Sequence, residues 1–142
     1  MSQPYAGAVT RTLAFALDVA LLHAIIFLAG AGVALIVGAF GDVSIDVDPL
    51  SISLAAGGDL LALGAYLAWF WTLTGQTPGM RALGIEVQTM TSERLKLRRA
   101  VLRLFGMLLA AAPLFAGFLL ILVTDRRQGL QDLIARTVVR YV

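Results

Sequence analysis

The chain contains no cysteine and a single histidine, and only 14% of its 142 residues are charged. The missing cysteines exclude a disulfide framework, a thiolate metal site and a cysteine nucleophile. A single histidine excludes the usual multi-histidine metal clusters, so we expect neither a metal nor a cofactor. The sequence has no evident nucleophile–base pair and no phosphate-binding loop, and we therefore expect no catalytic residues and no enzymatic activity.

The scarcity of charge goes with a mean hydropathy of +0.87. Soluble domains carry about 25% charged residues, and a chain this apolar cannot cover its surface with polar groups. We therefore expect the lipid bilayer to be its solvent. The net charge of +2 is not a nucleic-acid signature, so no nucleic-acid partner is expected. The length is that of a single domain over 1–142.

Three apolar runs, 12–40, 51–74 and 104–124, reach the length of about 20 residues that a transmembrane helix needs. The first run carries an aspartate and a histidine and is too long for the apolar part of a signal peptide, so we expect it to be retained. The third run contains Pro113 near its centre. Because proline removes a backbone donor and clashes with the preceding turn, this run either spans the membrane or turns back there.

The charges between these runs are segregated. The loop 41–50 holds three aspartates and no basic residue, whereas residues 75–103 hold six basic residues. The positive-inside rule places 75–103 and the N-terminus in the cytoplasm and 41–50 outside. The tail 125–142 holds four arginines, which stay inside only if the third run turns back at Pro113. The rule favours that path, with both termini cytoplasmic, and a single span remains the alternative.

The segment 75–97 follows a different pattern. "QTPG" is typical of a turn, and "GIEVQTM" alternates apolar and polar residues with the period of a half-buried strand. "TSER" is a second turn, after which "LKL" resumes the alternation, so we predict a small cytoplasmic β-hairpin over 85–97. An isolated hairpin is marginal in water, and we expect 138–142 to pair with it in a small sheet.

These patterns together predict an all-α membrane protein with a small cytoplasmic β-hairpin or sheet. Two transmembrane helices are followed by a third, proline-broken apolar segment that is either re-entrant or spanning. The expected order is helix 12–40, outer loop 41–50, helix 51–74, cytoplasmic loop with the hairpin 75–97, broken helical segment 98–124 and cytoplasmic tail 125–142.

Four ionisable residues in or beside the first two runs form a candidate intramembrane polar track: Arg11, Asp18, His23 and Asp59. Asp18 follows Arg11 by about 10 Å along a helix, and both side chains point the same way. Ionisable residues inside a membrane are costly and mark ion or proton paths. The alternative is structural, because such side chains also hydrogen-bond between helices and lock their packing.

A second set is a candidate cytoplasmic charge cluster: Arg81, Arg99, Arg103 and Asp132. Asp132 lies in the first turn of the predicted helix "LQDLIARTVV", where a carboxylate is favoured by the helix N-terminus. We expect it to pair with one of the three arginines. In that role it clamps the cytoplasmic side together instead of binding a ligand.

The segments "GQTPGMRALGIEV" and "DRRQGLQDLIARTVV" resemble the loop and C-terminal signatures of the RDD family of bacterial membrane proteins. The arginine and the two aspartates for which that family is named correspond to Arg11, Asp18 and Asp132. Arg103 lies where the family usually has arginine. The resemblance covers essentially the whole chain. Three positions depart from it: Met80, Gln131 and Arg136 stand where lysine, histidine and glycine are common.

The resemblance implies a protein of the bacterial inner membrane that transports some ligand, with cation/proton exchange in certain members. One copy offers few spans for a pathway, so transport would require an oligomer. The alternative is a non-catalytic accessory subunit, whose small-residue helix faces and basic cytoplasmic side pack onto a larger membrane complex. The expected partners are therefore the lipid bilayer and either further copies of the chain or the subunits of such a complex.

Overall fold

The computed structural model describes residues 5–41, 48–91, 93–112 and 116–142. The predicted helices at 12–40 and 51–74 are confirmed as α1 and α2, and the small sheet is confirmed as β1 and β2. In chain order the elements are α1 (Ala8–Phe40), α2 (Pro49–Leu73), α3 (Pro78–Ala82), β1 (Ile85–Thr89), α4 (Leu97–Ala111), α5 (Ala116–Val123), α6 (Leu130–Ala135) and β2 (Thr137–Tyr141).

Helices α1 and α2 present apolar surface along most of their length. Both are long and apolar enough to cross a membrane, with mean hydropathies of 2.5 and 1.5 over their most apolar stretches. Only 0% and 6% of these stretches are buried inside the protein. The 33 residues of α1 extend over about 50 Å, against a hydrocarbon core of about 30 Å. Helix α1 therefore has to tilt or project beyond the bilayer core.

Helix α2 begins at a complete N-terminal cap. The Asp48 carboxylate accepts a 2.6 Å hydrogen bond from the Ser51 backbone N–H, and the Ser51 hydroxyl accepts one of 3.1 Å from the Asp48 N–H. The bond from the Ser51 backbone is the main reason that the pKa of Asp48 lies below its ordinary value. Because α2 already starts at Pro49, the predicted loop 41–50 is shorter than expected, and 42–47 lie outside the described residues.

Strand β1 pairs with β2 in an antiparallel two-stranded sheet, with Val87 opposite Val139. The C-terminal segment was predicted to pair with the hairpin, and it pairs with β1 in a sheet of two strands. The prediction of a second hairpin strand is wrong, because residues 93–96 are irregular and Leu97 begins α4. Burial explains why β2, and not the segment 93–96, pairs with β1. Strand β2 brings two buried valines against β1, whereas 93–96 carries one buried side chain among exposed polar ones.

Helix α5 returns alongside α4. A Cβ atom on Gly117 would come within 2.6 Å of the Ala110 Cα, and one on Gly106 within 2.6 Å of the Gln131 Cα in α6. Glycine permits such close approach of two backbones because it has no side chain. Helices α4 and α5 therefore lie side by side, while the predicted break at Pro113 lies outside the described residues.

The N-terminal residues, the connection between α2 and α4, and the C-terminal strand meet at one end of the molecule. The Ala6 N–H donates to the Val139 carbonyl at 2.9 Å, and Tyr5 bridges to Arg140. The buried apolar side chains also gather there, among them Leu67, Trp71, Ile85, Val87 and Val139. The buried charged residues lie in the same region, at the base of the two long helices.

Candidate functional site

Three charged side chains from distant parts of the chain form an ion-pair cluster, which we call the Asp132 cluster: Arg11, Arg103 and Asp132. The Oδ2 atom of Asp132 pairs with Nη1 of Arg11, and its Oδ1 lies 2.7 Å from Nη1 of Arg103. The Asp132 side chain is 0% exposed, and those of Arg11 and Arg103 are 9% and 5% exposed. One carboxylate thus compensates two guanidinium groups in the protein interior.

Arg11 links the N-terminal segment to the C-terminal one. Its Nε donates to the Ala6 carbonyl at 3.0 Å, and its Nη2 donates to the Arg127 carbonyl at 2.6 Å. With the bond to Asp132, each of its three nitrogens has a partner. Charge-assisted hydrogen bonds are the strong ones, so Arg11 is a fixed link and not a mobile side chain at the membrane surface.

Arg103 and Asp132 join α4 to α6 and β2. Arg103 Nη1 donates to the Thr137 hydroxyl at 3.0 Å, and the Gly129 N–H donates to Asp132 Oδ2 at 3.2 Å. The Arg103 guanidinium also lies 4.8 Å from the centre of the Trp71 ring. Burial lowers the pKa of Arg103, and the Asp132 carboxylate opposes that effect. The guanidinium stays charged, because arginine does not lose its proton in proteins.

Asp18 forms a second buried centre, in which it has no basic partner among the described residues. Its exposure is 1%. It accepts hydrogen bonds from the Tyr66 hydroxyl at 2.9 Å, from the Gly79 N–H at 2.7 Å and from the Thr77 hydroxyl. All three donors are neutral groups. Asp18 therefore joins α1 to α2 and to the start of α3.

This centre explains the motif "GQTPG". Thr77 caps α3 and accepts a 3.2 Å hydrogen bond from the Met80 N–H. Gly79 lies in the helix and does not adopt the positive φ that a turn would have required. It has to be glycine because a Cβ atom would overlap the Ala14 carbonyl oxygen and lie 2.9 Å from Asp18 Oδ1. The motif therefore brings the Gly79 N–H, in the first turn of α3, and the Thr77 hydroxyl onto the Asp18 carboxylate.

The structure does not bring the four residues of the predicted polar track together. Arg11 bonds Asp132, and the described partners of Asp18 do not include His23 or Asp59. His23 is exposed on α1, with Nδ1 2.8 Å from a backbone carbonyl one turn earlier in the same helix. Asp59 is partly exposed on α2. A continuous track through one copy is therefore absent from the described residues, and a role for the set in conduction stays a prediction.

The members of the predicted charge cluster also lie in different places. Of the three predicted arginines, Arg103 contacts Asp132. The second arginine at Asp132 is Arg11, which was not predicted to belong to this cluster. Arg99 instead donates from Nη1 to a backbone carbonyl of the turn between α6 and β2, at 3.3 Å. Arg81 is exposed on α3 and makes no ion pair with the described residues.

Sequence reasoning missed four residues that complete the two centres: Tyr66, Thr77, Gly79 and Thr137. A signal existed for Thr77 and Gly79, because both lie in the unusual polar motif after α2. No local signal marked Tyr66 or Thr137. Within the described residues, no group of three or more His, Cys, Asp or Glu side chains is placed to hold a metal ion. The two centres are therefore buried carboxylates, one paired with two guanidinium groups and the other hydrogen-bonded by three neutral donors.

Comparison with known proteins places both centres within one family. The RDD family model matches residues 5–136, a range that includes Arg11, Asp18, Arg103 and Asp132. No curated protein and no solved structure matches the chain. The family match covers nearly the whole chain, and the two long apolar helices agree with a location in the membrane. The chain therefore belongs to the RDD family of membrane proteins.

Proposed function

We propose that this RDD-family protein works in membrane transport as an oligomer, moving a cation, a proton or a small ligand, and that Asp18 binds the cation or proton. The observation that carries the proposal is the environment of Asp18. It is a buried carboxylate on a membrane helix, with three neutral donors and no basic partner among the described residues. Asp132 is not suited to binding a proton or cation, because neutralising its carboxylate would break two buried ion pairs.

The partners of Asp18 allow it to bind a proton without losing its contacts. The Tyr66 and Thr77 hydroxyls can each donate or accept, whereas the Gly79 N–H can only donate. When Oδ2 carries a proton, its O–H can donate a hydrogen bond to the Thr77 hydroxyl, while Oδ1 continues to accept hydrogen bonds from Tyr66 and Gly79. The centre is therefore compatible with a charged and a neutral carboxyl group. A proton-coupled or cation-coupled step requires at least these two forms.

Association of several copies would supply a pathway, which the described residues of one copy do not form. The most apolar stretches of α1 and α2 are almost free of buried residues. His23 is exposed, and its ring makes a single hydrogen bond to the described residues. That bond joins Nδ1 to a backbone carbonyl of its own helix. Polar side chains in a membrane usually face other helices. Contacts between copies would provide that environment for His23 and for Asp59.

We place the protein in the bacterial inner membrane, with several spans and with both termini in the cytoplasm. The N-terminal residues and the β1–β2 sheet lie at the same end of the molecule. The basic segment 94–99 belongs to that end as well, because Arg99 donates to the Arg136 carbonyl next to β2 and the preceding Glu93 carbonyl accepts from Thr89 of β1. Because basic residues are retained on the cytoplasmic side, the positive-inside rule supports this orientation.

The second candidate function is that of a non-catalytic accessory subunit in a larger membrane complex. It is favoured by the open small-residue face of α1. A Cβ atom on Gly30 or Gly38 would meet no other atom within 4 Å. Such faces allow close packing of another helix, and the subunits of a complex could supply that helix as well as a second copy could.

The test is ion flux through liposomes that contain the purified protein, measured with pH and cation gradients. Asparagine at position 18 resembles the neutral aspartic acid, since its amide can donate to Thr77 while its oxygen accepts from Tyr66 and Gly79. We therefore expect Asp18→Asn to fold but to lose flux by tenfold or more. Asp125→Asn is the matched control, because Asp125 is exposed in the loop after α5.

The outcomes separate the candidates. Wild-type flux in Asp18→Asn would refute the role assigned to this carboxylate. Loss of folded protein in the same variant would mean that Asp18 only holds α1 to α2 and α3. Liposomes that stay inert at every pH, together with a stoichiometric partner recovered after mild detergent extraction, would favour the accessory subunit.

A further inference from the structure

Five basic residues gather where the start of α4 meets the turn between α6 and β2, and we call this surface the Arg136 patch. The Arg136 carbonyl accepts hydrogen bonds of 3.3 Å from the Met90 N–H and from Arg99 Nη1. These two bonds bring the segment after β1 and the first turn of α4 to the same place. The members of the patch are Arg94, Lys96, Arg98, Arg99 and Arg136.

The charges of the Arg136 patch are not neutralised within the described part of the protein. Both ion pairs found there belong to Asp132, so none involves a member of the patch. Four of the five side chains are exposed, and Arg99 is partly exposed. Glu93 is the acidic residue of the same segment, and it is a single charge beside five basic ones. The patch is therefore a strongly positive surface that an external anion can reach.

Exposed apolar side chains continue directly from this positive surface. Leu97 lies among the basic residues and is 63% exposed, and Phe105 further along α4 is 65% exposed. Helix α4 thus begins in a basic segment and presents apolar residues to its surroundings from its first turn onwards. A helix with this pattern lies with its basic end at the headgroups of a membrane and its apolar face against the acyl chains.

The backbone at Arg136 gives a separate indication that the side chain has a role outside the fold. Arg136 has φ 52° and ψ 53°, in the left-handed region, where it ends α6. Glycine is the usual residue at this position of a helix end, because a side chain is disfavoured there. The exposed Arg136 side chain therefore occupies a position at which glycine would make the fold more stable.

We propose that the Arg136 patch binds the phosphate groups of anionic lipids in the leaflet that surrounds the start of α4. Guanidinium groups match the geometry of phosphate and can contact two of its oxygens at once. The apolar side chains beside the patch favour a lipid over a free phosphate ion, because the acyl chains have a surface to cover. Each basic residue near an anionic membrane contributes about fivefold to the attraction. This inference does not depend on the transport activity proposed above.

The experiment measures lipid retention by the purified full chain in detergent, using native mass spectrometry. Phosphatidylglycerol and phosphatidylcholine with the same acyl chains are added at equal concentration. We expect phosphatidylglycerol to be retained preferentially. Arg136→Gly should reduce that retention about fivefold while it raises the unfolding temperature, so the loss of lipid cannot result from misfolding. Lys96→Gln should also reduce retention.

Arg81→Gln is the matched control, because it removes one exposed positive charge outside the Arg136 patch. Its retention of phosphatidylglycerol should equal that of the wild type. Equal retention of the two lipids would overturn the proposal. So would an equal loss in Arg81→Gln and Arg136→Gly, which would mean attraction by net charge alone. Displacement of phosphatidylglycerol by millimolar inorganic phosphate would show a site for free anions and would overturn the lipid assignment.

Discussion

Replacing Asp132 by asparagine should strongly destabilise the protein. The carboxylate is fully buried and pairs with both Arg11 and Arg103, whose side chains are 9% and 5% exposed. Removing one partner of a buried ion pair costs about 3–5 kcal/mol, because the remaining charge has no compensation. Asparagine can still accept a hydrogen bond, so we expect a loss of about 3 kcal/mol. Since native proteins are stable by about 5–15 kcal/mol, this is a large part of the total.

The measurement is the free energy of unfolding in detergent micelles, followed by tryptophan fluorescence. Trp71 is a suitable probe because its ring lies 4.8 Å from the Arg103 guanidinium. The control is Arg81→Gln, which alters an exposed side chain without an ion pair among the described residues and should change stability by less than about 0.5 kcal/mol.

A double variant tests whether the effect arises from charge compensation. In Asp132→Asn combined with Arg103→Met, the unpaired guanidinium at position 103 is removed together with the carboxylate. We therefore expect the double variant to lose less stability than the sum of the two single changes, by about 1 kcal/mol or more. Strict additivity, or a loss in Asp132→Asn no larger than that of the Arg81 control, would refute the buried ion-pair cluster.

Three further predictions follow from the contacts of Gly79, Tyr141 and Asp48. Gly79→Ala should cost about 2–3 kcal/mol of unfolding free energy, because its Cβ would overlap the Ala14 carbonyl oxygen. Gly58→Ala is the control and should cost nothing, since Gly58 faces open space. Equal effects of the two changes would contradict this account. A cysteine at position 141, which is 48% exposed, should react with an impermeant thiol reagent only after cells are opened, and labelling of intact cells would exclude a cytoplasmic C-terminus. The Asp48 cap should contribute its full stability above the ordinary pKa of 3.8 and lose it as the pH falls below that value, because the folded pKa is lowered. Asp48→Ala should remove this acid dependence, which thermal unfolding at a series of pH values would show.

Sequence alone determined the elements whose signals are local. The apolar runs at 12–40 and 51–74 predicted α1 and α2, since a helix that crosses a membrane needs about 20 consecutive apolar residues. The alternation of "GIEVQTM" predicted β1, and the instability of an isolated hairpin predicted that the C-terminal segment would pair with it. The inferences on α1, α2 and β1 held because each depends on periodicity or composition within one short segment, whereas the pairing was inferred from the general need of a hairpin for a further partner.

Only the tertiary structure decided which distant side chains meet. Arg11 and Asp132 are 121 residues apart, and no periodicity in the sequence relates their positions. Their contact depends on α5 returning alongside α4, which carries α6 and β2 back to the start of α1. The same holds for Asp18, whose partners come from α2 and from the "GQTPG" motif instead of from Arg11, about two turns away on α1.

The second strand of the predicted hairpin shows the physical reason most directly. Residues 95–97 alternate as a strand would, but a strand forms only where it can pair and bury its apolar face. Strand β2 offers Val138 and Val139, with exposures of 1% and 0%, against β1. Of the two leucines in the predicted strand only Leu95 is buried, whereas Leu97 is 63% exposed and begins α4. Competition between two segments for one strand edge is settled by total burial in the folded chain, and no single segment contains that information.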